Sequence, residues 1–122
     1  DIPGSSAWFD RGFVTYSNRA KHAMLGVAEE TLQAYGAVSR ETVIEMAKGA
    51  LGRSEAQLTV AVSGIAGPGG GSAEKPVGTV WLAWAGWDFV EAVCRHFPGD
   101  RAAVRAATVD AALEGLLRQA SA

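Results

Sequence analysis

The sequence has a single cysteine, Cys94, and only two histidines among its 122 residues. One cysteine excludes an internal disulfide, and one cysteine with two distant histidines does not match any metal-site pattern. Because stable disulfides belong to oxidising compartments, this composition favours a reducing, cytoplasmic location. We therefore expect a protein without a disulfide framework, a bound metal or another cofactor.

Excess basic charge and long apolar runs are also absent. The formal net charge is −2, from 11 basic and 13 acidic residues, so bulk charge does not build a surface for nucleic acid. No apolar run approaches the roughly 18 residues that a membrane-spanning helix needs. The composition, 48% hydrophobic and 20% charged, is that of a globular protein, and the length suits one domain.

Local patterns predict a mixed α/β domain. Runs of β-branched and aromatic residues predict strands over 11–17, 57–63, 77–85 and 88–97, the last two forming a hairpin. Capping residues and apolar spacing predict helices over 18–25, 27–35, 40–52 and 101–118, with Asn18 and Ser39 as N-caps of the first and third. The strand at 57–63 is interpreted as central and buried on both faces. This order predicts a single three-layer domain whose sheet is partly parallel and partly antiparallel, with helices on its faces.

A glycine-rich stretch, SGIAGPGGGSAEKPVG at 63–78, follows the second predicted strand and holds six of the 15 glycines. It is not a P-loop, because no glycine pair precedes Lys and then Ser or Thr, and not a dinucleotide fingerprint, because it leads into a strand. Its backbone N–H groups could still converge on an anion, with Ser72 and Lys75 adding a hydroxyl and a cation. A purely structural loop is the alternative, and composition does not separate the two.

Two further groups of polar residues are candidates for a site. Tyr16 and Lys21 lie across a predicted strand-to-helix junction, where a desolvated lysine can act as the base for a hydroxyl nucleophile. Arg101 and Arg105 share a face at the start of the last helix, where two cations oppose the helix dipole and a bound anion would offset it. The structural alternatives are a surface lysine beside a half-buried tyrosine, and ion pairs between the arginines and nearby acids.

Three segments together resemble the C-terminal domain family of the competence/damage-inducible protein CinA: GSSAWFDRGFVTYSNRAK, AVSGIAGPGGGSAEKPVGTVW and FPGDRAAVR. The resemblance runs over nearly the whole chain, from about residue 2 to about residue 117. The characterised members are nicotinamide-nucleotide amidohydrolases. The resemblance therefore implies hydrolysis of the carboxamide of nicotinamide mononucleotide (NMN) to nicotinate mononucleotide and ammonia, in pyridine nucleotide recycling, by a serine nucleophile without a metal.

The resemblance also implies which residues form the site. Tyr16, Lys21 and Ser63 match the family's catalytic positions, with Ser63 in place of the usual threonine. The family's GDR arginine matches Arg101, and we expect Arg101, with Arg105 or Lys75, to bind the 5′-phosphate. Backbone N–H groups of the glycine stretch, at Gly64, Gly67, Gly69 and Gly70, are expected to stabilise the oxyanion or hold the substrate.

One part of the family pattern is not in this sequence. The family's nucleophile lies in a Ser-Cys-Thr-Gly-Gly segment upstream of GSSAWF, whereas this chain opens with DIPGSS. We expect a segment carrying the nucleophile to precede Asp1, and Ser5 and Ser6 are not assigned that role. The alternative hypothesis is a catalytically inactive CinA-like module for nucleotide binding or assembly. A helix missing from the sheet would expose apolar surface, so a homo-oligomer, a dimer or higher, is expected.

Overall fold

A computed structural model describes residues 11–121 of the chain, so the expectations for Ser5 and Ser6 lie outside the described residues. The elements in chain order are α1 (Asn18–Leu25), α2 (Glu29–Tyr35), α3 (Arg40–Gly52), β1 (Leu58–Gly64), β2 (Thr79–Gly86), β3 (Phe89–His96) and α4 (Arg101–Ala120). The strands form one sheet in the order β1-β2-β3. None of the helices within 11–121 is both long enough and apolar enough to cross a membrane.

Capping side chains set the helix ends. Ser39 caps α3, as predicted, and Asp100 caps α4; each side chain accepts a hydrogen bond from a first-turn backbone N–H. At α1 the cap is Ser17 rather than the expected Asn18, which is the first helical residue. Gly26 ends α1 with a φ of 72°, a left-handed conformation that glycine adopts readily.

Side chains of β2 alternate between two apolar cores, one on each face of the sheet. Ala83 and Ala85 pack with residues of α1 and α3 on one face. Leu82 and Trp84 pack with Val104 of α4 on the other. Helices therefore lie on both faces, and β2, which is buried along nearly its whole length, is the centre of the sheet.

The sheet corrects the expectation of mixed strand pairing. Both strand pairs in residues 11–121 are antiparallel. Residues 11–16, predicted as a strand, have no regular secondary structure, and the side chains of Val14 and Tyr16 are 81% and 92% exposed. Strand propensity reflects packing against neighbouring strands rather than an intrinsic backbone preference. In the described residues this segment has no such neighbour.

The expectation that β1 is a central strand is also wrong for the described residues. Only β2 pairs with β1, and Val62 is 41% exposed. Helices α3 and α4 both contact β1, so helices pack on both of its faces although it lies at an edge. An apolar run predicts that a strand has two covered faces, but it carries no information about the number of neighbouring strands.

Candidate active site

A cleft of about 920 Å³ follows the edge of β1 that β2 does not occupy. Residues 11–16 form one wall and β1 forms the floor. The remaining lining side chains, which are mainly apolar, come from α1, α3, the α3–β1 connection and the last turns of α4. This cleft is concave and apolar with few polar groups, the usual character of a small-molecule site.

Lys21 is a buried charged side chain of this cleft, with 7% of its surface exposed. Its Nζ donates a hydrogen bond to the carbonyl oxygen of Thr15 at 2.9 Å, and no carboxylate in residues 11–121 pairs with it. Desolvation by burial lowers the pKa of Lys21, because the charged ammonium form is disfavoured away from water. At a given pH, a larger fraction of Lys21 than of an exposed lysine is therefore the neutral amine, which can accept a proton.

Tyr16 lines the same cleft as Lys21, so the structure brings this predicted pair together. The phenol group of Tyr16 has no hydrogen-bond partner in the described part of the chain. Ser63 is the next-to-last residue of β1. It lies two residues after Ala61, so both side chains point to the sheet face that carries α1 and α3. The Ser63 hydroxyl, partly buried, has no partner among residues 11–121. It lies one residue beyond Val62 of the cleft floor and is not itself part of the lining.

The glycine-rich loop, residues 65–78, is folded against the end of the sheet. At its base the Ile65 N–H donates to Thr79 O at 2.9 Å and the Gly78 N–H donates to Ile65 O at 2.7 Å. Gly67 has a φ of 84°, and a Cβ there would lie 2.5 Å from the Val77 side chain. The loop geometry alone therefore requires a glycine at 67, independently of any ligand.

The other two predicted glycines of this loop have more space around them. A Cβ at Gly69 would meet no atom within 4 Å, and a Cβ at Gly70 would lie 3.6 Å from the Ile65 side chain, which is an ordinary contact distance. Gly70 has a φ of 91°, so its backbone conformation still favours glycine. Packing within residues 11–121 therefore does not explain the glycine at 69.

The three predicted cations have different surroundings. Lys75 Nζ donates to Tyr35 O at 2.8 Å, at the C-terminal end of α2. Arg101 Nη1 donates to Gly67 O at 3.1 Å and so ties the glycine-rich loop to the start of α4. Arg105 has no hydrogen bond or ion pair with any residue of 11–121.

Arg105 lines a second cavity, of about 240 Å³, between β1 and α4. The other lining residues are small or apolar apart from one hydroxyl: Val62, Gly64, Ala66, Val80, Val104, Thr108 and Val109. Because Val62 lines both cavities, they adjoin near the carboxyl end of β1. The structure thus brings Arg105 and Gly64 together on the α4 face, whereas Tyr16 and Lys21 lie in the cleft.

Sequence reasoning missed two contributors to these sites. The hydrogen-bond acceptor of Lys21 is the backbone carbonyl of Thr15, and a carbonyl that every residue possesses leaves no signature in a sequence. Thr108 is not among the predicted site residues, and its side chain lines the second cavity. In residues 11–121 no three His, Cys, Asp or Glu side chains are grouped in a way that could hold a metal ion.

Together these features define a small α/β domain with a lysine in an apolar cleft, beside a strand that leads into a folded glycine-rich loop. The sequence model of the CinA C-terminal domain matches residues 1–120. The chain belongs to the CinA C-terminal domain family.

Similar proteins carry names from the same family. The chain is 60% identical over 120 residues to "Nicotinamide-nucleotide amidohydrolase PncC" of Enterobacter agglomerans, covering 98% of this chain and 73% of that protein. It is 57% identical over 122 residues to the protein of the same name from Escherichia coli strain K12, with the same coverage of 98% and 73%. A crystal structure of the competence/damage inducible protein CihA from Agrobacterium tumefaciens superimposes with a TM-score of 0.93 at 57% identity, covering 96% of this chain and 72% of that one.

Proposed function

We propose that this protein hydrolyses the carboxamide of NMN to nicotinate mononucleotide and ammonia, as a metal-independent serine amidohydrolase. The observation that carries the proposal is Lys21: a buried lysine without an acidic partner in residues 11–121, facing a cleft. Such a lysine suits a proton acceptor better than a structural ion pair. The 60% identity to a protein named nicotinamide-nucleotide amidohydrolase supports this choice of reaction and substrate.

The proposed reaction begins with a serine nucleophile. The family resemblance implies that this serine belongs to a Ser-Cys-Thr-Gly-Gly segment, which the printed sequence does not contain. Its hydroxyl oxygen bonds to the carboxamide carbon while the neutral amine of Lys21 takes the hydroxyl proton. The C–N bond then breaks, and the nitrogen leaves as ammonia after receiving that proton, with Tyr16 assisting the transfer. Water hydrolyses the resulting ester, which releases the carboxylate product and restores the serine.

Ser63 and the glycine-rich loop stabilise the developing negative charge in this proposal. The Ser63 hydroxyl, unpartnered within residues 11–121, can donate to the carbonyl oxygen as it becomes an oxyanion. Backbone N–H groups at Gly64, Gly67, Gly69 and Gly70 are the further donors proposed to hold the substrate. Donors held in place by the folded loop need little reorganisation during the reaction, and this is the main source of their catalytic effect.

The decisive experiment is ammonia release from NMN by the purified full-length protein and by its Lys21→Met variant. We expect turnover by the wild type and a loss of about 100- to 10,000-fold in Lys21→Met, because that variant keeps the bulk and loses the base. Lys48→Met, at an exposed position of α3, is the matched control and keeps wild-type activity. NMN binding without ammonia release by the wild type would instead identify an inactive binding module.

We also propose that the protein acts in the cytoplasm as a homo-oligomer. The single, half-buried Cys94 supports a reducing location. Exposed apolar side chains that line neither cavity, Trp87 and Val90 of the β2–β3 hairpin, support association with another surface. Light scattering of the full-length protein tests the association, and a monomer at assay concentration contradicts it.

A further inference from the structure

We infer that Arg105 is the phosphate-binding cation of this site, and that the nucleotide lies across the carboxyl end of β1. The carboxamide then lies on the Lys21 side of the strand, and the phosphate lies in the cavity between β1 and α4. This inference rests on the proposed function, since it assigns the parts of NMN to particular residues. It selects Arg105 among the three cations considered for the phosphate, in place of Arg101, which the family resemblance favours.

Two of the three cations already hold the glycine-rich loop in place. Arg101 donates to Gly67 O, and Lys75 donates to Tyr35 O. Each of these bonds holds its side chain against a backbone carbonyl, so part of its donor capacity serves the loop rather than a ligand. Arg105 has no such contact in residues 11–121. Its neighbours three and four positions away on α4 are Arg101, Ala102, Thr108 and Val109, none of them acidic, so its charge is available to an anion.

The α4 cavity has the size and the polar groups for one part of a nucleotide. Its volume of about 240 Å³ is below the roughly 300–1,000 Å³ of sites that enclose a whole drug-sized ligand. The Thr108 hydroxyl donates to Val104 O at 2.7 Å, so toward the cavity its oxygen can only accept, as from a ribose hydroxyl. The lining is mainly apolar apart from Arg105 and Thr108, so a phosphate there has the guanidinium as its charged partner, with which it can form charge-assisted hydrogen bonds.

The end of β1 explains how one ligand could reach both cavities. Successive strand residues point to opposite faces, so Ser63 faces the side of α1 and α3 and Gly64 faces the side of α4. A Cβ at Gly64 would lie 2.7 Å from the Val80 side chain, which lines the α4 cavity. A larger residue at 64 would displace Val80 and so change the wall of the cavity that Arg105 lines.

The test compares NMN with nicotinamide riboside, which has the same carboxamide and no phosphate. In Arg105→Gln we expect kcat/KM for NMN to fall by about 10- to 100-fold through a higher KM, the range for charge-assisted hydrogen bonds. The kcat/KM of Arg105→Gln for the riboside should stay within about twofold of the wild-type value, because the riboside has no phosphate for Arg105 to bind. Arg105→Lys keeps the charge without the two-pronged geometry and gives an intermediate loss. Lys48→Gln removes an exposed charge on α3 and should leave kcat/KM unchanged for both substrates.

Several results would overturn the inference. They are an equal loss for NMN and the riboside, an unchanged KM for NMN, or a phosphate-selective loss in Arg101→Gln or Lys75→Gln instead. Circular dichroism of each variant verifies its folding. If the wild type turns over neither substrate, the proposed function fails. Titration of the wild type and of Arg105→Gln with ribose 5-phosphate then tests whether Arg105 binds a phosphate. Binding that Arg105→Gln weakens at least tenfold supports the assignment, whereas no binding, or binding that survives the substitution, contradicts it.

Discussion

Lys21 Nζ donates a hydrogen bond to the carbonyl oxygen of Thr15 at 2.9 Å. A carbonyl oxygen only accepts, so it can bind an N–H of Lys21 whether the side chain is charged or neutral. In the neutral form the nitrogen lone pair stays free for a proton from the cleft. The bond also fixes residues 11–16 to the first turn of α1, where the Lys21 backbone N–H donates to Ser17 O at 3.1 Å.

Replacing Lys21 by arginine distinguishes a base from a simple cation. Arginine keeps the positive charge but does not lose its proton in proteins, so Lys21→Arg is expected to lose at least about 100-fold in kcat/KM for NMN. A matched Lys48→Arg variant keeps full activity because residue 48 is exposed on α3. Substantial activity of Lys21→Arg would show that the site needs a charge and not a base.

The lowered pKa of Lys21 predicts a particular pH dependence of stability. Between its folded pKa and the value near 10.5 of an unperturbed lysine, the unfolded chain carries a proton that the folded chain lacks. The free energy of unfolding therefore rises with pH across that window, and the burial penalty is complete below the folded pKa. Urea midpoints over this range should increase for the wild type relative to Lys21→Met. If the urea midpoints of the two proteins changed with pH in parallel, that result would contradict a lowered pKa of Lys21.

The same titration predicts an acid limb in the activity profile. Because the neutral amine is the base, kcat/KM for NMN should fall as the pH decreases through the folded pKa of Lys21. A rate profile of the wild type, measured in overlapping buffers at constant ionic strength, detects this limb. A profile that is flat on the acid side would remove Lys21 from the role of base.

Arg101 is predicted to act on the glycine-rich loop. Arg101→Gln removes the bond to Gly67 O, so we expect a loss of about 1 kcal/mol in the free energy of unfolding and faster proteolysis within 65–78. Arg105→Gln, which removes no such bond within residues 11–121, is the control and should leave the loop's cleavage rate unchanged. Equal cleavage rates in the two variants would show that the hydrogen bond from Arg101 to Gly67 O does not stabilise the loop.

Gly115 and Gly52 form a matched pair of helix glycines with opposite expected effects. A Cβ at Gly115 would overlap the Trp84 indole ring, whereas a Cβ at Gly52 meets no atom within 4 Å. Gly115→Ala should destabilise the protein by about 1–3 kcal/mol through overpacking. Gly52→Ala should be neutral or stabilise it by up to about 1 kcal/mol through helix propensity. Urea unfolding of both variants measures the contrast, and similar midpoints would contradict the packing of α4 on Trp84.

Much of the secondary structure could be predicted from local sequence because its causes are local. Ser39 marks the start of α3, Gly26 ends α1, and the hairpin turn follows Gly86, each through contacts among neighbouring residues. The prediction failed at residues 11–16 and in the position of β1 within the sheet. Whether an extended segment becomes a strand, or a strand lies at an edge, depends on which distant segments pair with it.

The sequence by itself determined the helices, the hairpin and the proximity of Tyr16 to Lys21, since residues five apart across a helix start cannot separate far. Tertiary structure alone decided which of the three cations hydrogen-bond to the backbone. Lys75 binds a carbonyl 40 residues away and Arg101 one 34 residues away, while Arg105 meets no partner in residues 11–121. It also decided the burial of Lys21. Desolvation and long-range hydrogen bonds depend on what the folded chain brings close, and local propensity does not encode that.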